Sequence, residues 1–299
     1  NNVWIPLSKS LPKKRVKDIL KDVHPNMFIH DGIDDTKNFT KYTKKIYSFL
    51  SISKKNLKNS KMNIDSLVDV IDYDNTAFIY FTSGSTGVSK GIKISHKNII
   101  SNVFAQVTHL HNYLLKKKNK QLVFGDYYDT AFSIFFDIFF PAIYLKAALS
   151  PGLKKEEILL PLDHCKKNQV NVLVAVPSTI QRIKIYYGKK KLDHQFNTII
   201  MTGEPFYLNV LKYLFDHFKS KRIFNCYGGT EMRNWVYYQQ CKKSDLIDYK
   251  GLNLVPIGKP FSNVNTKFVN KELVVAGPMI TLGYVNADLN YKKFIFNKK

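Results

Sequence analysis

Gly84, Gly87 and Lys90 stand at three-residue intervals in "YFTSGSTGVSKG" (80–91), among the hydroxyl residues Thr82, Ser83, Ser85 and Thr86. Glycine lets backbone N–H groups turn inward and approach an anion closely. The hydroxyls add donors, and the lysine adds a charge that can neutralise a leaving phosphate. The spacing is not that of a Walker loop. That loop needs four residues between glycine and Gly-Lys-Ser/Thr, and it opens directly into a helix. Here "GIKISH" follows and reads as a short strand. A hairpin turn with no ligand is the bland alternative. The apolar strand "TAFIYFT" before the loop and the Lys-Gly after it favour the anion loop.

Two further turns carry groups of the same kind. "NTIIMTGE" (197–204) and "RIFNCYGGTE" (222–231) read as strands that run straight into polar residues. The acid at the end of the second is notable, because a hard cation prefers carboxylate oxygen. Taken alone, Asn225 and Tyr227 suit an ordinary strand-end turn.

The elements that must position these turns alternate from Thr76 onward. Ile99, Ile100, Val103, Phe104, Val107, Leu110 and Leu114 recur at helical spacing after Ser95, a candidate cap. "QLVFG" reads as a strand and 132–147 as a very apolar helix. "NVLVAVP" is a buried strand, followed by a helix with Ser178 as its cap, and "YLNVLKYLFDHF" is amphipathic. Such alternation predicts an α/β fold, a parallel sheet with helices on both faces. Ligands of such sheets bind beyond the carboxyl ends of the strands. All three polar turns are therefore expected to converge on one sheet edge. Before Thr76, "VWIPLS" and "NMFIHD" read as strands, 11–23 as a helix and 52–63 as a polar connection. After Pro256 short strands and turns suggest a small β subdomain, which gives an α/β core over 1–255 and a β part over 256–299.

The composition bounds the remaining possibilities. The 299 residues are 44% hydrophobic, enough for a large core. The longest apolar run, "AFSIFFDIFFPAIYL", is broken by Asp137 and Pro141 and is too short to span a membrane. Cys165, Cys226 and Cys241 are scattered without metal-ligand spacing, which fits a reducing cytoplasm. The net charge of +23 suits either an acidic partner such as nucleic acid or lysines spread over solvated faces. The lysine runs are short and dispersed, and the aromatics do not alternate with arginines. Both features favour the second reading, with neither nucleic acid nor membrane as partner.

"FTSGSTGVSKGIKISH" resembles the signature of the adenylate-forming (AMP-binding) superfamily: acyl- and aryl-CoA ligases, luciferases and the adenylation domains that load carrier proteins. Four other segments agree, in the family's order. "VWIPLSKSLPKKRVKDILKD" resembles the "YVPLDPSLPEERL" region of amino-acid adenylation domains. "MTGEPF" resembles the adenine-pocket segment, "NCYGGTE" the family's "NxYGPTE", and "KELVVAGPMITLGYVN" its "GELxIxGPxVxxGYxN". The likeness is greatest to D-alanine–carrier-protein ligase and peptide-synthetase-like members.

The resemblance implies the large-domain fold of acyl-adenylate synthetases. It also implies activation of a small amino or hydroxy acid by ATP with Mg²⁺, release of pyrophosphate, and transfer to a carrier-protein pantetheine. A CoA thiol, as in acyl-CoA ligases, is the alternative acceptor. By similarity Thr82, Ser83, Gly84, Ser85, Thr86, Gly87 and Lys90 line the β- and γ-phosphates. Glu231 holds Mg²⁺, Thr230 bonds the α-phosphate, Tyr227 stacks on adenine, and Asn225 bonds its amino edge. Gly228 shares that turn, and Gly203, Glu204 and Pro205 form the opposite wall. The acyl pocket is expected on the 128–140 segment with Asp129 and Phe132, around 177–182 and 201–206 with Gly203, and at Met232, Trp235 and Tyr237. The compact, partly aromatic character of the last three suggests a small substrate.

Three departures qualify these expectations. Gly229 stands where the family has proline. Aligning "FFDIFFP" with the family's "FDxSVWDIF" puts Phe132 at the aspartate that pairs with a substrate ammonium and Asp137 at the later acidic position. Asp129 is then the remaining carboxylate, and without it a buried ammonium is costly. Residues 286–299 end before the ribose-gripping aspartate turn and the mobile lysine-bearing C-terminal domain that the resemblance leads one to expect. The sequence thus reads as the central part of a larger enzyme, or as a nucleotide-binding fragment without turnover.

Overall fold

The computed structural model describes residues 2–32, 39–53, 72–83, 89–112, 121–292 and 294–295. The chain divides into two compact units, residues 1–96 with 282–299, and residues 97–281. The expected break between 255 and 256 falls inside the second unit.

The first unit holds α1 (Lys13–Val23), β1 (Met27–His30), β2 (Lys45–Ser48), α2 (Phe49–Ser53), β3 (Thr76–Ser83) and β4 (Ser89–Ser95). Helix α1 follows its apolar spacing, burying Val16, Ile19 and Leu20. Val16 and Leu20 meet Phe39, with Leu7, Leu11, Phe28 and Ile46 around them. Strands β1 and β2 pair in parallel, whereas β3 and β4 form an antiparallel hairpin that is its own two-stranded sheet. This corrects the expectation that "TAFIYFT" belongs to the parallel sheet. An apolar run looks the same whichever partner it pairs with. "VWIPLS" supplies only a bridge beside β3, through Trp4 N–H to Ala77 O (2.9 Å) and Ile79 N–H to Trp4 O (3.1 Å).

Helix α3 (His96–Gln106) starts directly after Ser95, belongs to the second unit from Lys97 onward, and runs into a π-helical turn, Val107–His111. Then follow β5 (Val123–Asp126), α4 (Ile134–Tyr144), β6 (Ala148–Pro151), α5 (Lys155–Leu159), α6 (Leu162–Lys167), β7 (Val172–Ala175) and α7 (Pro177–Tyr187). The remainder is β8 (Gln195–Thr202), α8 (Leu208–His217), β9 (Lys219–Gly229), β10 (Asn234–Gln240), α9 (Asp245–Asp248), β11 (Lys259–Pro260), and the hairpin β12 (Asn265–Val269) with β13 (Glu272–Ala276). One seven-stranded sheet has the order β11-β10-β9-β8-β7-β5-β6. Strands β6, β5, β7, β8 and β9 pair in parallel, and β10 and β11 add antiparallel.

Successive strand residues point to opposite faces, so each parallel strand feeds two cores. Leu173, Ala175, Ile199, Met201 and Ile223 pack with Ile180, Ile183, Leu211 and Leu214 of α7 and α8. Val172, Val174, Ile200 and Phe224 pack with Ala105, Ile138 and Ala142 of α3 and α4. Both faces of the sheet are covered, as the alternating pattern predicts. No described helix is long and apolar enough to cross a membrane.

Two local expectations change. On α3, Ile100 and Phe104 are 40% and 52% exposed, while Asn98, Asn102 and Gln106 are buried. Helix α7 begins at Pro177, so Ser178 lies within its first turn and does not cap it. A proline at the first position costs nothing, because its missing N–H would have no helical partner.

Candidate active site

Met201 pairs with Asn225 and Thr202 with Cys226, so β8 and β9 end side by side. Two predicted segments therefore leave one sheet edge together: Gly203, Glu204 and Pro205 from β8, and Asn225 to Glu231 from β9. Gly203 turns at φ +80°, a left-handed conformation suited to glycine. The Glu204 carboxylate accepts from Ser178 N–H (2.9 Å) and Ser178 Oγ (2.9 Å), and so caps α7. What the β8 turn can present to a ligand is its backbone.

Asn225 is buried, and its Nδ2 donates to Val255 O (3.1 Å) and Pro256 O (2.9 Å). Its donors are engaged, and the side-chain carbonyl is what it can offer an amino group. Tyr227 is 41% exposed at the end of β9, accessible to a flat ring. Gly228 meets the next strand so closely that a Cβ there would lie 1.4 Å from Asn234 O. Gly229 is extended at φ −150°, away from the value near −65° that a proline ring imposes.

Thr230–Met232 form one turn of 3-10 helix. Arg233 and Asn234 follow at φ 53° and 66°, two consecutive left-handed residues that are not glycine. Each costs about 1–2 kcal/mol, so the surroundings must hold them. Asp137 on α4 does so. Its Oδ1 accepts from Arg233 Nη1 (3.1 Å) and Gln106 Nε2 (2.9 Å), and its Oδ2 accepts from Asn234 Nδ2. Burial pushes the Asp137 carboxyl up to about 6, and the Arg233 charge with these hydrogen bonds pulls against that rise.

The network continues to the turn itself. Ser133 Oγ donates to Asn234 Oδ1 (2.6 Å) and lies 3.2 Å from Thr230 Oγ1. Thr281 gives both its N–H (3.0 Å) and its hydroxyl (2.8 Å) to Glu231 O. Asn102 Nδ2 donates to Arg233 O (3.0 Å), and Asn98 Nδ2 holds Pro278 O (2.9 Å) and Ile280 O (2.8 Å). Ser133, Arg233, Asn234, Thr281 and the three amides escaped the sequence reading. One signal was present: Asn98, Asn102 and Gln106 recur every four residues on an otherwise apolar helix, a polar row on the buried face.

The residues expected at the acyl pocket differ in exposure. Phe132 is 62% exposed beside the turn that opens α4. Asp129 is exposed, and its Oδ1 takes the N–H of Ala131 (2.9 Å). Met232 is half-buried against the core. Trp235 is 2% exposed and packed in the core, on a stretch of β10 buried from Asn234 to Tyr237. A carboxyl the sequence reading did not single out, Asp126, is buried at the end of β5, and burial raises it to about 6.

In the first unit Thr82 stands opposite Lys90 across the hairpin. Lys90 Nζ sits 5.7 Å from the centre of the Tyr284 ring, a cation–π distance. Ser83 ends β3, and Gly84, Ser85, Thr86 and Gly87 lie outside the described residues.

The chain is similar to the beta-alanyl-bioamine nonribosomal peptide synthetase ebony of Drosophila melanogaster, 25% identical over 95% of this chain and 34% of that protein. It is 26% identical to the D-alanine--D-alanyl carrier protein ligase of Lactococcus lactis, over 69% of this chain and 40% of that protein. It thus spans well under half the length of these curated relatives. Its fold matches that of an o-succinylbenzoate coenzyme A synthetase from Bacillus subtilis solved with ATP and magnesium ion. The TM-score is 0.73 at 15% identity, covering 98% of this chain and 59% of that one. The family model described as AMP-binding enzyme matches residues 1–285. With nearly the whole chain matched, and with the β8 and β9 turns side by side at one sheet edge, the chain belongs to the AMP-binding enzyme family.

Proposed function

We propose that this chain forms the nucleotide-binding core of an enzyme that activates a small amino or hydroxy acid. The substrate carboxylate attacks the α-phosphate of ATP, pyrophosphate leaves, and the acyl-adenylate passes its acyl group to a carrier-protein pantetheine thiol. The observation that carries this reading is the Thr230–Glu231 turn, held by Ser133 and Thr281 three residues after the exposed Tyr227. Phosphoryl transfer rests on positioning and charge stabilisation, and a turn anchored this way supplies positioning.

The residues fit a magnesium ion. No cluster of three or more His, Cys, Asp or Glu occurs among the described residues, and Glu231 stands as one half-buried carboxylate. Mg²⁺ is commonly held by one or two carboxylates together with substrate phosphates. Bound there, it would neutralise charge on the phosphoryl oxygens. Thr230 would orient the α-phosphate and Tyr227 would stack on adenine; the family resemblance assigns Lys90 and the 82–87 segment to the β- and γ-phosphates. The two curated relatives are named for β-alanyl and D-alanine chemistry, which supports a small amino acid and a carrier protein.

ATP–pyrophosphate exchange across small amino, hydroxy and aryl acids tests this. Exchange above background with at least one small acid is expected. No exchange with any acid, in a chain shown to be folded, rejects activation by this chain. Calorimetric binding of Mg·ATP then tells a nucleotide site without turnover from no site.

A further inference from the structure

Hydrogen-bond direction can be traced atom by atom from Asp137 to Thr230. The Asp137 carboxylate receives Arg233, Gln106 and Asn234, and an ionised carboxylate only accepts. The amide nitrogen of Asn234 must therefore face Asp137, which turns Asn234 Oδ1 toward Ser133. That oxygen only accepts, so Ser133 spends its single hydroxyl proton on it at 2.6 Å. Ser133 Oγ is then an acceptor toward Thr230 Oγ1 at 3.2 Å, and Thr230 is the donor.

This order has a consequence for the ligand. A phosphate oxygen only accepts, so a threonine that holds it must donate. Thr230 has one hydroxyl proton and cannot give it to Ser133 and to phosphate at once. We infer that Ser133 and Asn234, directed by Asp137, hold the Thr230 proton on the protein side of the turn, so that an anion must take it from Ser133 to bind. Asp137, Asn234 and Ser133 are positioning residues in this scheme, and Thr230 is the group that meets the ligand. The relay sets the strength of the anion contact as well as its place. It rests on the reading of Thr230 as a phosphate contact, but its unliganded half stands apart from that reading.

The test has two arms on the full chain. The first uses no ligand. Ser133→Ala, Thr230→Val and the double variant are unfolded in urea. A hydrogen bond between the two hydroxyls makes their effects on the unfolding equilibrium constant non-additive by about three- to tenfold. Additivity within twofold overturns the relay. The second arm measures Mg·ATP binding by calorimetry. Ser133→Ala removes the competing acceptor, so its dissociation constant should fall about two- to tenfold, while Ser133→Thr, which keeps the hydroxyl, stays near the parent value. Unchanged or weaker binding by Ser133→Ala overturns the inference. If the parent chain binds no Mg·ATP, the proposed function falls, and the first arm alone decides the relay.

Discussion

Thr281 places both its backbone N–H and its side-chain hydroxyl on the carbonyl oxygen of Glu231, at 3.0 and 2.8 Å. One residue of the "GPMIT" segment thus fixes the main chain of the acid expected to face a cation. Thr281→Val keeps the shape and removes only the hydroxyl bond. A cost of about 1 kcal/mol is expected in urea unfolding. The exchange rate should fall further than that loss of stability explains, because the acid is less well held. An exchange rate equal to the parent's would show that the clamp is structural only.

The buried pair of Arg233 and Asp137 is asymmetric. The guanidinium is fully buried, and Nε and Nη2 have no partner among the described residues. Removing the acid alone, as in Asp137→Leu, strands that charge and should destabilise by about 3–5 kcal/mol. Arg233→Met combined with Asp137→Leu should recover the part due to the stranded charge, while Gln106 and Asn234 still lack their acceptor. Denaturation midpoints of both variants decide this, and a double variant no better than the single one would contradict it.

His111 is fully buried against the Phe124 ring, and its ring nitrogens have no partner among the described residues. Burial pushes its imidazolium down to about 3. The unfolded chain takes up this proton near pH 6.5, and the folded chain refuses it until about pH 3. Stability from the neutral ring is complete above pH 6.5 and drains away as the pH falls toward 3, by about 2 kcal/mol at pH 5. His111→Leu should flatten that part of the stability profile. Parallel profiles for parent and variant between pH 7 and 4 would contradict this origin.

Neighbouring glycines should respond very unequally. Gly228→Ala drives a methyl into Asn234 O and should disrupt the β9–β10 pairing. Gly229→Ala meets Glu231 Oε2 and Met232 Cε only at 3.5 and 3.7 Å and should change stability by less than about 0.5 kcal/mol. Gly229→Pro, which restores the family's residue, conflicts with φ −150° and should cost more than the alanine. Thermal melting of the three variants gives the order.

Much of the sheet was legible because strand and helix periods differ, and because buried parallel strands such as "NVLVAVP" are apolar throughout. The adjacency of the β8 and β9 turns followed from that order. The β3–β4 hairpin was not legible, since the apolar run carries no mark of its partner. Asp137 read as an interruption of an apolar stretch because its partners Gln106, Arg233 and Asn234 lie far away in sequence. Glu204 was expected at a pocket wall; its carboxylate caps α7, and only the approach of two strand ends reveals that.

The amide row on α3 also bears on the order of assembly. Asn98 closes on carbonyls 180 and 182 residues further along the chain. During synthesis, Glu231 emerges only 50 residues before Thr281, and Asn98 on helix α3 emerges 180 residues before the first carbonyl it holds. Contacts of such long loop closure form late. The turn's own clamp, from Thr281 to Glu231, closes a shorter loop of 50 residues. Until the 277–281 segment arrives, the nascent chain carries a turn whose Glu231 carbonyl lacks its clamp.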